Sequence, residues 1–261
     1  MSVQQPDSPT GAGPDITGVI IGHDEGTLLG LSLRSLLDAA AYARDHGLTV
    51  EALAVLDSAD DATRAALADA GEHDCRVVEV AYADHGLARN EAIRLASGRY
   101  VAFLDGDDLW SENWLVDAHA MCETDPGRVI AHPAINWIFD QGSYCYVLPD
   151  QADPAFDPAF LRVANAWDQL CMAPAEVHQR HPYRRRELDR GFAYLDWTWN
   201  LETIEAGLVH RTVPETIHFK RRRTSSQFTQ ARANKSLPFH SALHDYSWWT
   251  ARDAAEAHEP A

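Results

Sequence analysis

Three carboxylates crowd one short stretch, Val101-Ala102-Phe103-Leu104-Asp105-Gly106-Asp107-Asp108, at the carboxyl end of an apolar run that reads as a buried strand. Carboxylates this close repel one another, so the cluster is costly unless a cation sits among them. A hard divalent ion with oxygen ligands, Mg²⁺ or Mn²⁺, suits such a place and normally also holds phosphate oxygens of a substrate. The plainer reading is an acidic turn that caps a helix starting near Ser111. An EF-hand calcium loop fails on spacing: its sixth and twelfth positions, counted from Asp105, hold Trp110 and Val116 instead of Gly and Glu. A metal-dependent phosphohydrolase or nucleotidyltransferase could also use such a strand end. The loop Gly22-His23-Asp24-Glu25-Gly26 after the first strand is nevertheless unlike a Lys- or Gly-rich phosphate loop.

Basic residues gather later in the chain. Lys220-Arg221-Arg222-Arg223 precede Thr224-Ser225-Ser226, a place where guanidinium and hydroxyl groups can meet phosphate oxygens. The alternative is a solvated charge run. Arg184-Arg185-Arg186 is a second run, either a surface patch or a lid. Four cysteines (Cys75, Cys122, Cys145 and Cys171) lack zinc or disulfide spacing and read as reduced thiols, mostly buried, in a cytoplasmic protein. His132 and the other histidines show no ligand spacing, and most of the eight tryptophans are expected in the core.

The elements that must position these groups alternate. Strands are predicted over Ile16–Gly22, Val50–Leu56, Arg76–Val80 and Tyr100–Leu104, and helices over Gly26–Arg44, Asp60–Ala70 and Leu87–Ala96. Such a series builds a mostly parallel sheet covered on both faces, with ligands at the carboxyl ends of its strands. Further on, Ile135–Phe139 and Ser143–Leu148 read as a hairpin, Leu195–Ala206 as a helix and Val213–Phe219 as a last strand. Four parts are expected: a disordered lead-in over 1–15, an α/β half of the nucleotide-binding type over 16–132, a mixed half over 133–232, and a helical tail over 233–261 that carries Trp248 and Trp249.

The chain of 261 residues has a formal charge of −17, which argues against general nucleic-acid binding and a polybasic membrane tether. The stretch from Arg180 to Lys235 departs from this, with 12 basic and 6 acidic residues. No apolar run approaches the roughly 20 residues that span a bilayer. The first residues lack the basic start and apolar core of a signal peptide.

With these residues assembled, a family likeness is evident. Gly86-Leu87-Ala88-Arg89-Asn90-Glu91-Ala92-Ile93, then Ser97 to Asp108, resembles the central signature of family 2 glycosyltransferases: an "ArN" helix, a "G-x-y-hhh-L-D" strand and a D-x-D motif. Upstream, Leu56-Asp57-Ser58-Ala59-Asp60-Asp61 stands where that family has "VDDGSxD". Downstream, Tyr194-Leu195-Asp196-Trp197 with Glu205-Ala206-Gly207 resembles its "ED" helix. Pro214-Glu215-Thr216-Ile217 with Arg221, Arg223, Ser225 and Ser226 resembles its "vPE-x-L-x-x-Y-R-x-H-x-x-S" segment, with Arg223 in the place of the His and Leu195 in the place of the Glu of "ED".

The resemblance implies a GT-A fold and an inverting glycosyltransferase, moving a sugar from a nucleoside diphosphate to an acceptor hydroxyl. By the same resemblance, Asp57 contacts the nucleobase or its ribose and Arg89 lies along the nucleotide. Asp105 meets ribose or metal, Asp107 is the main ligand of Mn²⁺ or Mg²⁺, and Asp196 is the general base. Arg221 and Arg223 are expected on the diphosphate, and Trp197, beside the base, near the acceptor. The donor is expected to be a nucleoside-diphosphate sugar, a UDP-sugar in the first place; a homodimer is an assembly open to the chain. The contrasting reading is a non-catalytic scaffold that binds a sugar nucleotide.

Overall fold

A computed structural model describes residues 13–68, 70–224, 227–245 and 247. Ser225, Ser226, Trp248 and Trp249, with most of the expected lead-in and tail, lie outside the described residues.

The first half follows the expected alternation. Strand β1 (Ile16–Gly22), helix α1 (Leu28–Asp45), β2 (Val50–Asp57), the short α2 (Asp61–Ala65), β3 (Cys75–Val80), α3 (His85–Leu95) and β4 (Tyr100–Asp105) come in that order. The pairs β1–β2, β2–β3 and β1–β4 are parallel, in the spatial order β3-β2-β1-β4. Strands β1, β2 and β4 are mostly apolar because both faces are covered, whereas β3 at the sheet edge carries exposed Arg76 and Glu79. Ile16, Ile20 and Leu104 pack under Leu29, Leu33 and Leu36 of α1, while Val19, Ile21 and Phe103 pack against Ala88, Ala92 and Ile93 of α3. Helix α2 is five residues long rather than the expected run to Ala70. Its sequence, Asp-Ala-Thr-Arg-Ala, offers little apolar surface to bury, and only the Asp60 carboxylate, accepting from Thr63 N–H at 2.8 Å, marks its start.

Past β4 the chain makes β5 (Leu109–Trp110), α4 (Trp114–Cys122), β6 (Val129–Asp140), β7 (Tyr144–Val147), β8 (Met172–Pro174), α5 (Ala175–Arg180), α6 (Leu195–Glu205), β9 (Val209–Arg222) and α7 (Gln227–Ala233). All nine strands form one sheet: β3-β2-β1-β4-β8-β6-β9-β5, with β7 also on β6. The expected hairpin is present as β6–β7, antiparallel over Ile135 to Ile138. However, β6 starts six residues earlier than expected and straddles the expected division at 132/133, because Pro133 sits at a register shift against β9 that lets the strand continue. The three-residue β8 was not legible in the sequence; it joins β4 to β6 antiparallel and makes the two halves one sheet. Among the described residues no helix is long and apolar enough to cross a membrane.

Two features of this topology build a site. Strands β1 and β4 lie side by side while their following connections leave in opposite directions, which opens a crevice at their carboxyl ends. Strand β5, directly after the acidic cluster, pairs antiparallel with β9 through Leu109–Phe219 and Trp110–His218. That pairing carries the basic run at the end of β9 to the carboxylates at the end of β4.

Candidate active site

A cleft of about 620 Å³ opens at this edge of the sheet, and all eight residues singled out from the sequence line it: Asp57, Arg89, Asp105, Asp107, Asp196, Trp197, Arg221 and Arg223. Their contacts differ in kind.

Asp105 ends β4, and its Oδ1 accepts from Arg89 Nη2 at 2.5 Å. Arg89 is 2% exposed and lies over the Phe103 ring, 5.2 Å from its centroid. His85 Nε2 stands 3.3 Å from the same oxygen. Burial and the Arg89 charge push the His85 imidazole down, against the pull of the Asp105 carboxylate. Burial would raise Asp105, yet Arg89 and His85 hold its carboxyl well below the usual carboxylate range.

Asp107 behaves oppositely. Burial, together with the charge of Asp105, raises it despite an ion pair with Arg223 (Nε to Oδ2, 2.7 Å). Asp108 is 3% exposed, and burial with its two acidic neighbours pushes it up to about 8. One Asp108 oxygen accepts from the Arg221 backbone N–H at 2.7 Å, a direct product of the β5–β9 pairing. Lys220 Nζ reaches both Asp108 (3.5 Å) and Asp168 (3.1 Å).

Asp57 closes β2, and its oxygens accept from the backbone N–H groups of Tyr82, Ala83 and Asp84 at 2.7 to 2.8 Å. Most of its acceptor capacity therefore holds the β3–α3 loop that forms one wall of the cleft. Arg221 likewise turns much of its guanidinium away: Nε donates to the Asp107 carbonyl (3.2 Å), Nη1 to Asp140 (3.0 Å), and the group covers the Phe139 ring at 4.5 Å.

Across the cleft, Asp196 lies in the first turn of α6, which begins at Leu195. Tyr194, at φ +60°, turns the chain sharply into that helix. Asp196 Oδ2 accepts from Asn165 Nδ2 at 3.0 Å, and Asn165 Oδ1 accepts from Asn200 Nδ2 at 2.9 Å. Burial first, then the charge of Asp168, raises the Asp196 carboxyl above its ordinary value. Trp197 donates its indole N–H to the Leu161 carbonyl at 2.7 Å, which fixes the ring at the rim.

Sequence reasoning did not single out Asn165, Asp168, His85 or Glu25 as site residues, though all line the cleft. Glu25 carried a usable signal, since it follows β1 at the edge where ligands bind. Asn165 and Asp168 carried none, because irregular chain brings them in. The second basic run is divided. Arg184 pairs with Glu202 at 2.7 Å on the surface, Arg185 is exposed, and Arg186 lines the cleft with its backbone N–H on Asp84 (3.1 Å).

Among the described residues no three His, Cys, Asp or Glu side chains converge to enclose an ion. What the strand end offers is an open hold by one or two carboxylates. That is how Mg²⁺-type ions are carried when substrate phosphates complete the shell.

Residues 19–138 match the model of a family described as Glycosyl transferase family 2. In three dimensions the chain resembles S. aureus TarS 1–349 in complex with UDP-GlcNAc, with a TM-score of 0.60 at 13% identity over 82% of this chain and 60% of that one. It also resembles the mannosyltransferase PcManGT from Pyrobaculum calidifontis in complex with GDP-Man and Mn²⁺, with a TM-score of 0.57 at 18% identity over 97% and 77%. The chain thus spans 60% of the length of the TarS chain it matches. No curated protein matches it in sequence. At these identities the likeness is one of fold, and the fold is GT-A.

Proposed function

We propose that this chain, whose residues 19–138 match the model of glycosyl transferase family 2, transfers a sugar from a nucleoside-diphosphate donor to an acceptor hydroxyl with inversion at the anomeric carbon. The observation that carries the reading is the cleft itself: the D-x-D carboxylates, a cluster of cations and a carboxylate of raised pKa line one space at the carboxyl edge of β1 and β4.

The chemistry needs three things from the chain. The donor diphosphate must be held; Arg223 and Arg186 border the cleft with guanidinium groups suited to phosphate oxygens. Asp107, with Asp105, would hold a divalent ion, which when bound screens the negative charge building on the leaving diphosphate. The acceptor hydroxyl must lose a proton as it attacks. Asp196 is the carboxylate for this: its raised pKa brings it nearer the working range of a general base, and Asn165 fixes its orientation. Trp197 at the rim presents an aromatic edge where an acceptor sugar would lie. A single base on the acceptor side makes a one-step displacement, hence inversion.

Neighbours of this fold bind UDP-GlcNAc and, with Mn²⁺, GDP-Man, so both nucleotides belong in the test. The experiment is a thermal-shift panel of UDP-, GDP-, dTDP- and CMP-sugars, each with Mn²⁺ and with EDTA. A donor at about 100 times its dissociation constant stabilises the fold by roughly 2.7 kcal/mol, a shift of a few degrees. The expected result is a shift for one nucleotide class that is lost with EDTA and in Asp107→Ala. No shift for any nucleotide in the presence of metal would overturn the reading. Donor binding without donor hydrolysis or transfer would point to a non-catalytic scaffold.

A further inference from the structure

Each carboxylate of the Asp105-Gly106-Asp107-Asp108 cluster has a cationic side chain of this same chain beside it: Arg89 for Asp105, Arg223 for Asp107 and Lys220 for Asp108. The three cations are held very differently. Arg89 is 2% exposed and clamped over Phe103 within α3. Lys220 is wedged between two carboxylates and is 15% exposed. Arg223 follows the last residue of β9, is 24% exposed, and is held by carboxylates alone: Asp107 at 2.7 Å, Glu25 at 3.3 Å and Asp24 at 3.7 Å. Its guanidinium bridges the D-x-D turn, the loop after β1 and the end of β9. It is therefore the cation of the three that can leave without breaking a packed element.

We infer that Arg223 is an exchangeable internal counter-ion, which neutralises Asp107 and Glu25 in the donor-free protein and yields Asp107 to a divalent ion only when a donor diphosphate gives its guanidinium a new partner. The inference deepens the proposed function and rests on its reading of the site. Two cations cannot both sit against one carboxylate without strong mutual repulsion, so Arg223 and a divalent ion compete for Asp107. A released guanidinium presents a planar fork of donors that matches phosphate oxygens as well as carboxylates. The exchange couples two events: ion binding is weak without the diphosphate and strong with it. It also gives a physical role to the arginine that stands where the family motif has a histidine.

The test measures Mn²⁺ binding to the full chain by electron paramagnetic resonance, with no nucleotide and with UDP or GDP, for the parent, Arg223→Gln and Asp107→Asn. Without nucleotide, Arg223→Gln is expected to bind Mn²⁺ at least about fivefold more tightly than the parent, the low end of ordinary site coupling. The gain in Mn²⁺ affinity on adding nucleotide is expected to be smaller in Arg223→Gln than in the parent. In EDTA the variant should melt below the parent, and Mn²⁺ should raise its Tm by more. Equal or weaker Mn²⁺ affinity in Arg223→Gln, with binding still lost in Asp107→Asn, would overturn the exchange while leaving the site reading intact. Mn²⁺ binding indifferent to Asp107, or absent even with nucleotide, would overturn the site reading and the exchange with it. Should Arg223→Gln fail to fold, Arg223→Lys keeps the charge but loses the fork that spans Asp107 and Glu25. It too must bind Mn²⁺ more tightly than the parent for the exchange to stand.

Discussion

Asp168 and Lys220 show how a single pair sets the electrostatics of the cleft floor. Burial works to raise the Asp168 carboxyl, but Lys220 at 3.1 Å, with His218 nearby, outweighs it and holds Asp168 down to about 2. Asn136 Nδ2 donates to the same carboxylate at 2.7 Å. Between about 2 and the ordinary value of 3.8 the unfolded chain binds a proton that the folded one does not. The stabilisation is therefore complete above 3.8 and is lost as pH falls through about 2. Its size is on the order of 2 kcal/mol at neutral pH. Urea unfolding of the parent and Asp168→Asn at pH 5, 4 and 3 should show the parent losing stability more steeply toward acid than the variant. Equal slopes would show that Asp168 is not held down. Of the residues in the cleft, Asp105 and Asp107 were legible in the sequence because a polar cluster interrupting an apolar strand is a local signal. Asn165 and Asp168 were not, because a lone polar residue in irregular chain has no pattern around it.

At the level of elements, the D-x-D turn depends on close packing between β1 and β4. A Cβ at Gly106 would stand 2.7 Å from the Ile21 carbonyl oxygen and 2.9 Å from Leu29 Cδ1, so the backbone can pass here only without a side chain. Gly30, inside α1, is a contrast: its nearest neighbour would be the Ala66 carbonyl at 3.5 Å, an ordinary contact. Gly106→Ala should destabilise the protein by about 1–3 kcal/mol, the usual scale of overpacking, and should weaken donor-dependent thermal shifts by displacing Asp105 and Asp107. Gly30→Ala should be neutral or stabilising by about 0.5–1 kcal/mol through helix propensity. Chemical denaturation of the two variants checks this, and a Gly106→Ala protein as stable as the parent would show that the turn relaxes freely.

For the whole molecule, the sheet is the unit of cooperation. Three parallel strand pairs over β1 to β4 and the parallel pair β6–β9 are joined through β8, and buried tryptophans sit in both halves, Trp114 in the first and Trp167 and Trp199 in the second. Loss of the second half would expose the edge of β4, and loss of the first the edges of β8 and β9. Urea unfolding followed by circular dichroism and by tryptophan fluorescence should therefore give one coincident transition. Two separated transitions would mean that the halves about residue 132 fold as independent units.

The sequence by itself determined what depends on local pattern. Continuous apolar runs mark β1, β2 and β4 because those strands are buried on both faces, and the stop at Asp105 marks the edge where they end. The order of these elements was enough to expect a mostly parallel sheet with a ligand edge, while the GT-A fold was expected from the family resemblance of the motifs they carry. The tertiary structure decided which charges meet. Arg223 lies 116 positions from Asp107 and reaches it because β9 pairs with both β5 and β6. Asp57 faces the loop at 82–84, and Arg221 turns toward Asp140, for similar reasons of register. Strand pairing across such separations is chosen by how the entire apolar surface is buried, a property of the folded chain that no window of neighbouring residues contains.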